Sequence, residues 1–137
     1  MGALGSIVRY RCRGVRILAD GKEIVDGRIV LAAAANGGFF GGGMNIAPDA
    51  APDDGLLDLV IVREMSKAAL IANLASLYRG THLANPAVSV VRAARIEALP
   101  QGDAPVWIDV DGEGLGTLPL EIEVMPRAVT LFGVSPR

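Results

Sequence analysis

The sequence predicts a mainly β fold, a two-sheet antiparallel β-sandwich carrying one amphipathic helix at residues 67–79. Three observations predict it. Short runs of Val, Ile and Leu alternate with polar residues at the period of two expected of half-buried strands. Asp-Gly pairs punctuate those runs, and such pairs favour tight hairpins because a type I′ turn needs positive φ at both central residues. Only one segment carries apolar residues at helical spacing.

The elements follow in order. Val8, Tyr10 and Cys12 alternate with Arg9, Arg11 and Arg13, which reads as a strand edged by cations. Such a stripe suits anionic headgroups, at about 1 kcal/mol per cation near a charged surface. It equally suits a solvated edge protected by charge. Asp20-Gly21 closes the first hairpin, Asp26-Gly27 reads as a second turn, and 28–35 as a buried strand ending at Asn36-Gly37. After a long loop, 56–62 forms another strand. Ser66 is a good N-cap for the helix, whose Leu70, Ile71, Leu74, Leu77 and Tyr78 make one stripe, with Gly80 as its left-handed stop. Further strands are expected over 88–98, 106–110, 118–124 and 128–132, with Asp111-Gly112 as a turn and Trp107 in the core.

At 137 residues the chain reads as one domain. Residues 1–14 look like a truncated lead-in segment and 15–137 like the domain proper. A hydrophobic share of 51% against 20% charged is apolar for a soluble domain. That excess suits either an Ala/Val/Leu-rich core or a face meant for another domain, a lipid or a second copy in a homodimer. The longest apolar stretch, 29–35, falls far short of the ~20 residues of a membrane span. The start lacks a signal-peptide layout, and the single cysteine, Cys12, allows no internal disulfide, which together suit a cytoplasmic protein. A net charge of −2 and 4% aromatic residues argue against nucleic acid as a partner.

Three segments carry candidate chemistry. Asn36-Gly37-Gly38-Phe39-Phe40-Gly41-Gly42-Gly43-Met44 has five glycines in nine residues but neither a P-loop's Lys-Ser/Thr nor a following helix. It reads as a shaped loop. Pro52-Asp53-Asp54-Gly55-Leu56 suits either a hard cation held by one carboxylate and backbone carbonyls, or a plain β-turn. Asp111-Gly112-Glu113 puts two carboxylates on one turn, where they either serve a ligand together or are simply solvated. His82, the only histidine, has no partner at ligand spacing and is given no role.

These stretches, in this order and continued by Pro48-Asp49-Ala50, Leu57-Asp58 and Asp109-Val110, resemble the carboxy-terminal domain of the diacylglycerol kinase and sphingosine kinase superfamily, in the type of the bacterial soluble diacylglycerol kinases. Tyr78-Arg79-Gly80-Thr81-His82 is a weaker fourth match. The resemblance runs from about residue 15 onward. The family's Gly-Gly-Asp-Gly-Thr motif, which binds ATP phosphates in an amino-terminal domain, does not occur in this chain.

The resemblance implies a domain that supplies lipid site and base to an ATP-dependent kinase acting on a lipid hydroxyl, and that is inactive alone. It makes Asp111 the general base and Glu113 the partner of the nucleotide's Mg²⁺ or of its ordered water. It makes Asn36, Gly41, Gly42 and Gly43 the lining of the cleft where lipid and nucleotide meet. It implies a structural Mg²⁺ on the Asp54 carboxylate and the Ala51 and Leu56 carbonyls. The implied partners are a lipid alcohol, the nucleotide-binding domain and, transiently, the inner membrane surface, to which the protein would be peripheral. A non-enzymatic lipid-binding or regulatory module of the same fold is the alternative.

Overall fold

The computed structural model describes residues 11–130. Among them β1 (Arg13–Ala19), β2 (Lys22–Ala35), β3 (Phe39–Phe40), β4 (Met44–Asn45) and β5 (Leu57–Arg63) precede the helix α1 (Lys67–Arg79). A short 3₁₀ turn (His82–Ala84) follows, then β6 (Val88–Ala93), β7 (Arg95–Pro100), β8 (Trp107–Val110), β9 (Glu113–Thr117) and β10 (Leu120–Glu123). Six strands form one antiparallel sheet in the order β10-β7-β1-β2-β5-β6, and β3-β4 and β8-β9 are separate two-stranded ribbons.

That sheet folds over on itself. β6 and β7 lie four steps apart in the strand order, about 19 Å in a flat sheet at about 4.8 Å per step. Yet only Ala94 separates them in sequence, and two Cα steps span under about 7.6 Å. The two halves must therefore face each other, with strands that pass from one layer to the next making the corners. β2 makes the other corner. Its first half pairs with β1 up to Ile29 and its second half pairs with β5 from Ile29 onward, with a register irregularity between Ile29 and Leu31. Val15, Ile17, Val25 and Ile29 from one half meet Leu57, Leu59 and Ile61 from the other in the main core. This is the mainly antiparallel, sandwich-like architecture expected from the strand pattern.

The hairpin chemistry at the start of the domain is as anticipated. Asp20 and Gly21 have φ of 48° and 78°, the positive pair of a tight hairpin. The Asp20 carboxylate also accepts from the backbone N–H groups of Ala94 and Arg95, at 3.1 and 2.9 Å. The β1-β2 turn thus pins the β6-β7 corner. That corner splits the single strand expected over 88–98 into two. Asp26-Gly27, expected as a turn, lies inside β2, where Gly27 pairs with Val15. The hydrophobic run on either side has a partner along its length, so the chain runs through these two residues without reversing.

β5 is buried on both faces. Leu57, Leu59 and Ile61 point into the main core, whereas Val60 joins Ile46, Ala47 and Leu77 in a second cluster beneath α1. The helix begins where Ser66 Oγ accepts from the Ala69 N–H at 3.2 Å. It ends at Gly80 with φ of 67°. Its apolar stripe is narrower than expected. Leu70, Leu74 and Leu77 turn inward, but Ile71 and Tyr78 are 44% and 50% exposed. Trp107, expected in the core, is 76% exposed, because among the described residues β8 pairs only with β9 and lies outside the main sheet. β9 itself was not anticipated. Residues 128–130 form no strand; the rest of that expected strand, like Val8, Arg9 and Tyr10, lies outside the described residues.

Candidate functional site

The Asp111 turn sits at the tip of the β8-β9 ribbon. Asp111 and Gly112 adopt φ of 52° and 90°, and Asp109 Oδ1 accepts from the Gly112 N–H at 2.8 Å. This bond fixes the turn from within, so the following residues start β9 in register. Asp111 and Glu113 are both exposed, and among the described residues neither forms an ion pair. Two carboxylates are thus carried on one turn, both exposed to solvent. Val110 and Leu115, on the same ribbon as Trp107, are also exposed, at 47% and 67%.

The glycine-rich segment forms the turn of the β3-β4 ribbon, with Gly41, Gly42 and Gly43 at φ of 52°, 77° and 97°. Its outer residues, including Asn36, are exposed. No hydrogen bond among the described residues ties this ribbon to the Asp111 tip.

The ribbon's apolar side chains do something else. Phe40 and Met44 help enclose a cavity of about 290 Å³ between α1 and the outer face of β2 and β5. Val30, Leu31, Val62, Leu70, Leu74 and Leu77 complete most of its wall, and its exposed lining is almost wholly carbon. Asn36, Gly41, Gly42 and Gly43 do not line it. This volume lies near the lower end of the range for small-molecule sites, about 300–1,000 Å³. An element with so little polar lining can hold an alkyl chain but gives few hydrogen bonds to orient a polar ligand.

His82 stands at the cavity wall and is 3% exposed. Its Nε2 lies 2.9 Å from the Ile46 carbonyl oxygen. A carbonyl only accepts, so Nε2 carries the proton. Nδ1 is buried and has no hydrogen-bond partner among the described residues. The histidine therefore ties the 3₁₀ turn after α1 to the loop after β4, and so braces two walls of the cavity. Sequence reasoning gave His82 no role because its partner is a backbone carbonyl 36 residues away, which no side-chain spacing can reveal. The cavity itself did leave a signal, in the Leu70, Leu74 and Leu77 stripe and in Phe40 and Met44.

The Asp54 loop is built differently from the expected metal site. The Asp54 N–H donates to the Ala51 carbonyl at 3.4 Å, and Asp54 Oδ1 accepts from the Leu56 N–H at 2.9 Å. Asp54 Oδ2 pairs with the Arg92 guanidinium, whose Nε donates to Asp58 Oδ1 at 3.1 Å. Both oxygens of the expected carboxylate ligand are therefore engaged, one of them by a cation. The residues present do not fit a resident Mg²⁺ here. Asp58 is 3% exposed, and its carboxyl is pushed above the usual range by burial and further by the Asp49 charge.

Comparisons with known proteins match this architecture. A family model described as YegS C-terminal NAD kinase beta sandwich-like domain matches residues 1–133. A diacylglycerol kinase of Mycobacterium tuberculosis (strain ATCC 25618 / H37Rv) is 30% identical over 129 residues, covering 94% of this chain and 41% of the relative. Human sphingosine kinase 2 is 35% identical over 118 residues, 82% of this chain but 17% of that protein. The crystal structure of a diacylglycerol kinase from Bacillus anthracis str. Sterne aligns with a TM-score of 0.66 at 24% identity, covering 90% of this chain and 43% of that one. The chain thus spans about two fifths of the mycobacterial kinase. By its sequence match and its fold, the chain belongs to the YegS C-terminal domain family of diacylglycerol kinase-like proteins.

Proposed function

We propose that this chain is the lipid-binding, base-bearing domain of an ATP-dependent kinase that phosphorylates a lipid hydroxyl, such as that of diacylglycerol. The single observation that carries the reading is the carbon-lined cavity beneath α1. An alkyl chain gains about 0.8 kcal/mol for each methylene withdrawn from water there. The relatives named as diacylglycerol and sphingosine kinases support the reaction class.

In this reading the cavity holds part of a lipid chain and leaves the hydroxyl outside, where the Asp111 carboxylate takes its proton as general base. The lipid oxygen bonds to the γ-phosphorus, the bond from that phosphorus to the β–γ bridging oxygen breaks, and ADP leaves. Mg²⁺ bound with ATP supplies neutralisation of the phosphate charge. Glu113, two residues from Asp111 on the same tip, would face that metal–nucleotide complex. Asn36 and the turn glycines line the cleft where the two substrates meet. ATP is held mainly by an amino-terminal domain outside this chain, so the isolated domain is inactive. Exposed Phe39, Trp107 and Leu115 suit transient contact with the inner membrane surface from the cytoplasmic side, or with the nucleotide-binding domain.

Transfer of labelled phosphate from Mg-ATP into a lipid extract by the longer protein, beside its Asp111→Asn variant, tests the reading. Label in a lipid that disappears in the variant is expected. The alternative, a lipid-binding or regulatory module without turnover, is favoured by the absence, among the described residues, of any hydrogen bond between the cavity walls and the Asp111 tip. It predicts chain binding with no label in any lipid alcohol.

A further inference from the structure

The geometry points to Arg92 as the built-in cation of the 51–56 loop, doing in this protein what a divalent ion would do there. Arg92 lies directly across from Asp58 in the β5-β6 pairing. From that position its guanidinium reaches two carboxylates at once, Nε to Asp58 and a terminal nitrogen to Asp54. A guanidinium is a planar fork with several donors and a fixed positive charge, so one side chain can bridge two anions as a metal ion can.

The bridge is structural in its consequences. Asp54 caps its own loop by accepting the Leu56 N–H, and its peptide N–H closes the turn onto Ala51. Arg92 ties that capped turn to the sheet through Asp58, whose side chain is 5% exposed. Without a cation, the Asp58 carboxylate would be buried and unpaired, a costly arrangement. Supplying the charge from β6 makes the loop fold without an ion from solution. A divalent cation at Asp54 would have to displace the guanidinium and would then be repelled by it. Mg²⁺ is also reluctant to shed its waters and wants six oxygens in octahedral array; here the carboxylate oxygens on offer are already shared with nitrogen donors. The inference does not rest on the kinase reading, because it concerns how the loop is held and is read out as stability.

Thermal unfolding of the purified protein tests it, with and without about 10 mM MgCl₂ against NaCl of matched ionic strength, since an ion bound only to the folded state must raise Tm in a saturable way. The expected result is no saturable rise for the unaltered protein, and a Tm several degrees lower for Arg92→Gln. If Arg92→Gln does not fold, Arg92→Lys replaces it, keeping the charge but losing the fork, and is expected to fall between the two. A saturable Mg²⁺-dependent rise in the unaltered protein that Asp54→Asn removes overturns the inference. So does an Arg92 variant as stable as the parent. A rise that survives Asp54→Asn belongs to another site and leaves Asp54 to Arg92.

Discussion

Asp58 on β5 and Arg92 on β6 face each other across adjacent strands, and the Arg92 Nε donates to Asp58 Oδ1 at 3.1 Å. Asp58 is buried within a strand whose neighbours on both sides are apolar, so its carboxylate loses water that one hydrogen-bonded cation only partly replaces. The pair fixes how the loop before β5 meets the sheet. It also leaves a titration signature.

Asp58 is predicted to favour the folded state more at low pH than at neutral pH. Burial first, and Asp49 second, raise its carboxyl pKa in the folded protein. A folded-state pKa above the unfolded value of about 3.9 means the native state binds the proton more tightly. The group's cost to stability is therefore absent below the unfolded pKa and appears as pH rises through the folded one. Asp58→Asn removes that dependence. The difference in Tm, variant minus parent, should become more positive as pH rises from about 4 through the carboxylate range. A difference that becomes more negative over that range would show that Arg92 outweighs desolvation.

Gly80→Ala is expected to destabilise the domain by about 1–3 kcal/mol. The position has φ of 67°, and a Cβ there would meet Asn45 Nδ2 at 2.9 Å and Pro48 Cγ at 3.1 Å. Gly42, at φ of 77° with no described atom within 4 Å of its would-be Cβ, is the control. Gly42→Ala should cost only the backbone term, about 1–2 kcal/mol. Urea denaturation of both variants checks the ranking; equal losses would mean that the packing of the helix end on the β4 loop carries no weight.

Leu74→Trp is expected to fill the cavity beneath α1 and weaken binding of a fluorescent fatty-acyl probe about tenfold or more, a loss of at least 1.4 kcal/mol. In the unaltered protein, affinity should rise about fourfold per added methylene until the cavity is full. Fluorescence titration over a chain-length series measures both. Affinity that ignores chain length would place the alkyl group elsewhere.

Asp111→Asn should lower phosphoryl transfer by the longer protein about 10²–10⁴-fold, the usual worth of a positioned general base. Stability should hardly change, because the side chain is exposed and makes no ion pair among the described residues. Rates and Tm measured on the same preparation check this. A rate loss that tracks a fall in Tm would speak for a turn residue rather than a base.

Local features of the domain were legible in its sequence because they are decided over a few residues. The Asp20-Gly21 turn, the Ser66 and Gly80 caps and the strand expected over 56–62, found at Leu57–Arg63, all follow from dihedral preference or apolar period. The Asp111-Gly112 turn was legible for the same reason. Tertiary structure decided the rest. Asp26-Gly27 carries turn chemistry, yet pairing with Val15 keeps it in a strand. Residues 88–98 read as one strand until the fold-over of the sheet, pinned by Asp20, breaks them at Ala94. Trp107 looks like a core residue and is exposed because its strand has one neighbour. Arg92 meets Asp54 across 38 positions and Asp58 across 34. Sequence spacing does not encode that meeting; strand register does, because the β5-β6 pairing sets Arg92 directly opposite Asp58, within reach of the loop that precedes β5.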